Sequence, residues 1–282
     1  MALGPHPAPP CGFDLMATDT TQVVPVDLNA WLVQLGRHIA AVARHLGDSS
    51  LAAAAEASAA QRWEALDRLA WSPREGCWHD LHLTDAPAEV HEEERQALLA
   101  TVGQDPLTTH LCHSSSSGAP SQPQPQPQVL RYFHLGGRVL ASNWVPLGTG
   151  GVQPGSKQAE QAVEGLARSG LLQAGGLLTS KECSGQQWDG PNCWPPLLHC
   201  LVEGCAGSGT LAGPGLARQL AGAWLSSAAA AWAATGHMHE KYDACTPGKA
   251  GAGGEYSPQV GFGWSNGVLL DLLHQGYRPT PA

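Results

Sequence analysis

Charge is scarce in this sequence. Only 14% of its 282 residues are Asp, Glu, Lys or Arg, and the signs are unequal, 15 basic against 24 acidic. A formal net charge of −9 with few, scattered cations excludes the clustered Lys and Arg from which nucleic-acid binders draw their affinity. No nucleic-acid partner is expected, and a neutral or small polar ligand suits the balance better. Long apolar runs are missing too. Nothing approaches the ~18–20 consecutive apolar residues that crossing a bilayer requires, and the most apolar stretch, Leu216 to Ala234, is rich in alanine and reads as a buried helix. No membrane segment is expected. The opening residues MALGPHPAPPCGFDLMATDT have neither a basic start nor an apolar core, so no signal peptide is visible and a cytoplasmic location is the default expectation. Among the eight cysteines (11, 77, 112, 183, 193, 200, 205 and 245) no CxxC spacing occurs, which favours free thiols over a disulfide framework.

Runs that alternate with a period of two are also few, so the fold class expected is all-α. From Asp27 the residues Trp31, Leu35, Ile39, Val42 and Leu46 recur at helical steps and make one apolar stripe, with Asp27 or Asn29 available as a cap. After Gly47-Asp48 an Ala-rich helix runs from about Ser50 to Leu69 and ends before Ser72-Pro73. So short a link makes the two helices antiparallel neighbours. Further helical patterns cover Lys157 to Leu172 and Pro195 to Cys205. Another carries Leu216, Leu220, Trp224, Ala228 and Trp232 at steps of four, and a last one starts near Ser265 with Val268, Leu269, Leu272 and Leu273. The 34 glycines and 22 prolines place long loops between these helices.

Residues 1–20 read as an irregular N-terminal segment, and 21–282 as one domain with an interruption. That interruption, at about residues 100–130, contains Ser114 to Ser117 and the alternating SQPQPQPQ of Ser121 to Gln128. Polar Pro-rich sequence of this kind cannot bury enough apolar surface to offset chain entropy, so a disordered insertion is expected there.

Three loops join charged or amide groups to aromatic rings: SGQQWDGPNCWPP (Ser184 to Pro196), MHEKYD (Met238 to Asp243) and GAGGEYSPQVGFGWSNGV (Gly251 to Val268). That pairing suits sugars, whose flat C–H faces stack on rings while their hydroxyls need groups that both donate and accept. Glycosidases commonly need two carboxyl groups, one to protonate the leaving oxygen and one ionised. Glu240 and Glu255 invite those roles, since the glycines between them would let a folded-back loop bring both to one cleft. Composition alone leaves open which is acid and which base. A metal site is not expected: His237 and His239, or His79 and His82, lack further ligands at recognisable spacing. Gly-Gly-Glu-Tyr lacks the Lys-Ser/Thr of a phosphate loop.

QQWDGPNCWPP, with Gln187, Trp188, Asp189, Pro191, Trp194 and Pro196 in place, resembles the second trehalase signature, with Cys193 where the family has Gly, Ala or Val. The run EKYD…GGEYxxQxGFGWxNGV from Glu240 to Val268 is similar to the trehalase C-terminus. VVPVDLNAWL (Val23 to Leu32), the segment with Trp71, Gly76 and Trp78, and SNWVPL (Ser142 to Leu147) resemble family stretches in the same order. The family is that of inverting trehalases, glycoside hydrolase family 37. The resemblance implies a partial (α/α)6 barrel, a six-hairpin toroid lacking its N-terminal helix pairs, with no metal and no organic cofactor. It implies α,α-trehalose as the small-molecule substrate, hydrolysed with inversion to two glucose molecules. It assigns Glu240 as the general base and Glu255 as a sugar-binding residue, with Gln187, Trp188, Asp189, Tyr256 and Trp264 lining or supporting the pocket. The inverting mechanism separates the two catalytic carboxyls by roughly 6.5–9.5 Å.

The family's proton donor is an Asp in a Gly-Trp-Asp segment upstream of the Pro-x-Asp-Leu-Asn stretch. Asp14, after Phe13, stands too close to Pro25-Val26-Asp27-Leu28-Asn29 to match it. The general acid, the first signature and the family's substrate-binding arginines have no counterpart in this sequence. The chain alone is therefore expected to be a poor catalyst, and the alternative is a non-catalytic trehalose-binding or regulatory relic.

Overall fold

A computed structural model of the chain describes residues 22–84, 131–134, 138–254 and 257–280. The N-terminal segment 1–20, the insertion at about 100–130, and both Glu255 and Tyr256 lie outside the described residues.

After a short strand β1 (Val23–Val24), helix α1 spans Val26–His45 and α2 spans Ser49–Ala70. The turn between them uses Gly47 at φ 81°, a left-handed conformation that costs a glycine little. Asp48 caps α2, its Oδ1 accepting from Leu51 N–H at 2.9 Å. The start of α1 differs from the sequence expectation. Neither Asp27 nor Asn29 caps it; Pro25 occupies the cap position, and the free N–H of Val26 donates to Asp80 Oδ1 at 2.7 Å from a distant part of the chain. The stripe on α1 also differs. The face packed inward consists of Val26, Ala30, Val33, Ala40 and Ala43, while Trp31, Leu35, Ile39, Val42 and Leu46 are exposed. Small residues explain the choice: at Gly36 an added Cβ would stand 3.0 Å from Ala59 Cβ, so α1 and α2 approach too closely for large side chains between them.

Strands β2 (Trp71–Ser72) and β3 (Cys77–Trp78) form a hairpin in which Trp71 faces Trp78. Strands β4 (Leu81–Thr84) and β5 (Arg131–His134) join β1 in an antiparallel sheet of order β1-β4-β5. A 3-10 turn at Ala141–Trp144 leads into the short α3 (Val145–Gly148), both buried. Helix α4 (Lys157–Arg168) is capped by Ser156 and stops earlier than the expected Leu172. Gly170 turns the chain at φ 73°, and Leu172–Gln173 becomes β6, paired with β7 (Gly176–Leu177).

Beyond β8 (Asn192–Cys193), helix α5 spans Pro195–Gly207 and α6 spans Gly213–Thr235, closed by Gly236 in the left-handed region at φ 71°. Trp224 is fully buried on α6, but Trp232, expected on the same face, is exposed. Steps of four overshoot a 3.6-residue turn by about 40° each, so the far end of that stripe rotates out of the core. Strand β9 (Tyr242–Asp243) and helix α7 (Gly263–His274) complete the described elements.

Helices α1, α3, α5 and α7 follow one another as neighbours, with α2 packed on α1, α6 on α5, and α4 on α6. The contact between α3 and α5 depends on two glycines: a Cβ at Gly148 would lie 2.3 Å from Cys200 O, and one at Gly204 2.7 Å from Gly148 N. The first row lines a cavity of about 1030 Å³, to which α2, α4 and α6 contribute nothing. The arrangement is a double row of helices curved around that cavity. The all-α expectation holds, with short strands added at the loops. Among the described cysteines, Cys77, Cys193, Cys200 and Cys205 are buried and free, and Cys183 and Cys245 are exposed and free.

Candidate active site

The three aromatic loops converge. Strand β8 pairs with β9, with Asn192 opposite Asp243 and Cys193 opposite Tyr242, so the first loop lies beside the second. Asn192 ties in the third: its buried amide donates to Gln187 O (3.1 Å) and Ala252 O (2.8 Å), and its Oδ1 accepts from Ala252 N–H (3.0 Å). The glycine run then lets the third loop lie on the first. Gly253 and Gly254 sit at φ 83° and 86°. A Cβ on Gly253 would fall 2.5 Å from Gly185 O, and one on Gly254 3.0 Å from Gln187 Cβ. The backbone leading into Glu255 therefore runs against Gln187.

Glu240 is 3% exposed and its neighbour Lys241 is fully buried. The ammonium of Lys241 stands 3.7 Å from Glu240 Oε2 and 5.0 Å from the ring centroid of Trp194. Burial holds Lys241 below the usual lysine range, and the Glu240 carboxylate acts in the opposite direction by favouring the charged ammonium. The backbone of Glu240 is fixed from two sides. Its N–H donates to Gln259 O at 3.1 Å, and its carbonyl accepts from Trp264 Nε1–H at 2.9 Å. Ser265 Oγ donates to His239 O at 2.6 Å, which fastens the same segment to the first turn of α7.

Trp188 is half exposed and stacks on the buried Trp194 at 4.0 Å and 9° between planes. Trp194 in turn meets Trp264 edge-on at 5.5 Å. One face of Trp188 is thus backed by protein, and the residue remains open enough to meet a ligand. Gln187 O accepts from Trp194 Nε1–H at 2.8 Å, and Gln187 Oε1 is a buried acceptor with no hydrogen-bond partner among the described residues. Asp189 works within its own loop: its carboxylate accepts from Ser180 Oγ at 2.7 Å and from Ser184 Oγ. It supports the loop and caps no helix.

Trp188 and Trp264 line the large cavity together with Ser142 and Thr179, and α1 contributes Asp27, Trp31 and Gln34. Glu240, Gln187 and Asp189 do not line it; Glu240 connects to its wall through the Trp264 indole.

Sequence reasoning overlooked Lys241 and Asn192 as parts of this arrangement, and it marked Trp194 as a signature residue without giving it a place in the site. Asn192 offered a signal, being an amide inside a Pro-rich aromatic loop where no helix or strand uses its side chain. Also overlooked was His199, which bonds Asp271 Oδ2 at 2.7 Å and, with Glu203, gathers ligand-type atoms within 4.8 Å. The hydrogen bond from His199 holds the Asp271 carboxyl below its ordinary range. Gln275 bonds both Glu203 (2.8 Å) and Asp271 (2.7 Å), which makes the group a mutually satisfied polar cluster. His79 lies similarly with Glu75 and Cys77, and its Nδ1 meets Asn143 Nδ2 at 3.1 Å.

The family model described as Trehalase matches residues 12–276. The chain is 34% identical over 269 residues to a probable trehalase of Oryza sativa subsp. japonica, covering 93% of this chain and 41% of that protein. It is 31% identical over 271 residues to a trehalase of Arabidopsis thaliana (96% and 37% covered) and 30% identical over 270 residues to one of Homo sapiens (96% and 37%). The chain thus spans about two-fifths of the length of these curated relatives. Neutral trehalase Nth1 from Saccharomyces cerevisiae shares its fold, with a TM-score of 0.57 at 21% identity over 90% of this chain and 38% of that one.

Proposed function

The chain belongs to the trehalase family, and on that premise we propose that it forms the base-bearing part of an inverting glycoside hydrolase that splits α,α-trehalose into two glucose molecules. Glu240 is the general base. Its carboxylate takes a proton from water as the water oxygen bonds to one anomeric carbon, the bond from that carbon to the bridging oxygen breaks, and a second carboxyl group protonates the departing oxygen. The observation that carries this reading is the place of Glu240: a buried carboxylate beside the Lys241 ammonium, at the meeting point of all three aromatic loops.

Trp188 offers a glucose ring a flat surface, Gln187 Oε1 offers a hydroxyl an acceptor, and Asp189 keeps their loop in shape. Glu255 and Tyr256 follow directly on the glycines packed against Gln187 and belong to the same sugar site. The proton donor is not among the residues of this chain. It lies in the portion of a trehalase that the chain does not span, so the chain alone binds trehalose without appreciable turnover. This makes a non-catalytic trehalose-binding protein the second reading, favoured by an aromatic sugar surface that comes without an acid.

Glucose release from trehalose tests the reading, measured on the chain alone and in the presence of the part of the rice relative outside the matched region. The expected result is negligible release alone and release in the pair, lowered about 10²–10⁴-fold by Glu240→Gln. An ordinary glycosidase rate from the chain alone would overturn the missing acid. A pair whose rate is unmoved by Glu240→Gln would overturn the base assignment, and a pair that binds trehalose without turnover would favour the second reading.

A further inference from the structure

Three side chains of one hairpin converge outside the sugar site. Gly76, at φ 67°, closes the turn between β2 and β3, its N–H donating to Ser72 O at 2.8 Å. A Cβ there would stand 2.2 Å from Gln161 O, so the turn is pressed against α4. The chain then runs extended through Cys77 to His79, whose N–H donates to Ala70 O at 2.9 Å and continues the ladder. Two residues apart, Cys77 and His79 share one face, while Trp78 points the other way onto Trp71 and Trp63. Glu75 reaches the first face from the turn. Cys77 Sγ lies 3.5 Å from His79 Nε2 and 4.0 Å from Glu75 Oε2, and Glu75 Oε2 bonds His79 Nε2. Cys77 and His79 are 3% and 4% exposed, whereas the Glu75 side chain is 38% exposed and opens the group to solvent. Spacing along the chain pairs His79 with His82; the fold gives it Glu75 and Cys77.

We propose that Glu75, Cys77 and His79 form a zinc site that fastens the β2–β3 hairpin to the turn before α3. Thiolate, imidazole and carboxylate are the ligand types zinc takes. Bonds of about 2.3 Å to sulfur and about 2.0 Å to nitrogen, at tetrahedral angles, separate the two atoms by about 3.5 Å, which is the separation found between Cys77 and His79. Asn143, itself 3% exposed, meets the other ring nitrogen of His79 at 3.1 Å. With its amide oxygen turned to the ring it accepts from Nδ1–H and leaves the Nε2 lone pair directed at Cys77 and Glu75, as the outer partner of a ligating histidine does. On binding, the Cys77 thiol releases its proton to solvent and His79 enters as the neutral ring. A water on the open Glu75 side completes the tetrahedral set. Asn143 belongs to the turn Ala141–Trp144, and Trp144 Nε1–H donates to Gly76 O at 2.8 Å, so the metal joins two segments that already touch. Its role is structural and independent of Glu240.

The test uses the full 282-residue chain, reduced, stripped with EDTA and dialysed against zinc or cobalt(II). The chain carries Cys183→Ser and Cys245→Ser, which remove the two exposed thiols. About one zinc per chain is expected, with a raised melting temperature and, in the cobalt form, a thiolate-to-metal charge-transfer band in the near ultraviolet. Cys77→Ala abolishes that band. Glu75→Gln sits at the open rim and keeps the helical circular dichroism; it lowers zinc affinity at least about tenfold and removes the thermal shift. His199→Ala, which breaks the other histidine–carboxylate cluster, leaves zinc binding unchanged. A folded chain that takes up no zinc, a cobalt form without the thiolate band, or zinc affinity indifferent to Glu75→Gln overturns the proposal. Loss of binding in His199→Ala also overturns it, because that result assigns the metal to the cluster between α5 and α7.

Discussion

The indole N–H of Trp264 donates to the main-chain carbonyl of Glu240 at 2.9 Å, so the first turn of the last helix holds the backbone of the residue proposed as the base. Trp264→Phe keeps a ring of similar position and deletes the donor. A net loss of about 0.5–1.5 kcal/mol in urea unfolding is expected, with weaker trehalose binding by calorimetry. Binding that is unchanged despite the stability loss would separate this bond from the sugar site.

Gly253 combines φ 83° with a backbone approach that leaves 2.5 Å between a new Cβ and Gly185 O. Gly253→Ala is expected to push the third loop off the first. The cost from the left-handed conformation is about 1–2 kcal/mol, and it falls mainly on the loop. Trehalose affinity should drop at least tenfold while far-UV circular dichroism is preserved.

Asn192 is the only side chain described that bonds both the Gln187 and the Ala252 backbone. Asn192→Ala deletes the two bonds to the Ala252 backbone, at a net cost of about 0.5–1.5 kcal/mol each, while Gln187 O keeps its bond from Trp194 Nε1–H. Hydrogen exchange should rise at Ala252 and its neighbours in the third loop, and remain low in α5 and α6.

Burial pushes the thiols of Cys77, Cys193, Cys200 and Cys205 up to about 12, from an ordinary value near 9. Their thiolates are therefore disfavoured in the folded protein. Iodoacetamide mapping at pH 8 should label Cys183 and Cys245 and spare these four. The sign of the pH effect follows: an acid whose folded value is raised contributes stability that is complete below its unfolded value and is lost as pH climbs toward the folded one. The melting temperature should fall progressively above about pH 9, and replacing Cys193 by Ala should lessen the slope.

Much of this architecture was legible in the sequence because helical periodicity and glycine placement are local signals. The α1–α2 hairpin, α5, α6 and the three converging loops all follow from such signals. What escaped was set by distant partners. Nothing near Val26 indicates that Asp80 caps α1, and the shortened α4 follows from the pairing of Leu172 with Leu177. The stripe on α1 misled for a deeper reason: periodicity reveals that a helix has an apolar face, but not that the close approach of α2 selects the small residues for the packed side. At the site, the motifs marked Glu240, Gln187, Trp188, Asp189 and Trp264, whereas the bridging role of Asn192 and the placement of Lys241 over Trp194 needed three dimensions.

The most direct test of the sugar site is calorimetric titration of trehalose into the 282-residue chain beside its Trp188→Ala and Gln187→Ala variants. Weak, saturable binding by the unmodified chain is predicted, with each substitution reducing affinity at least tenfold. Absence of binding to the folded chain, or binding that neither substitution alters, would contradict the claim that these loops form a trehalose site.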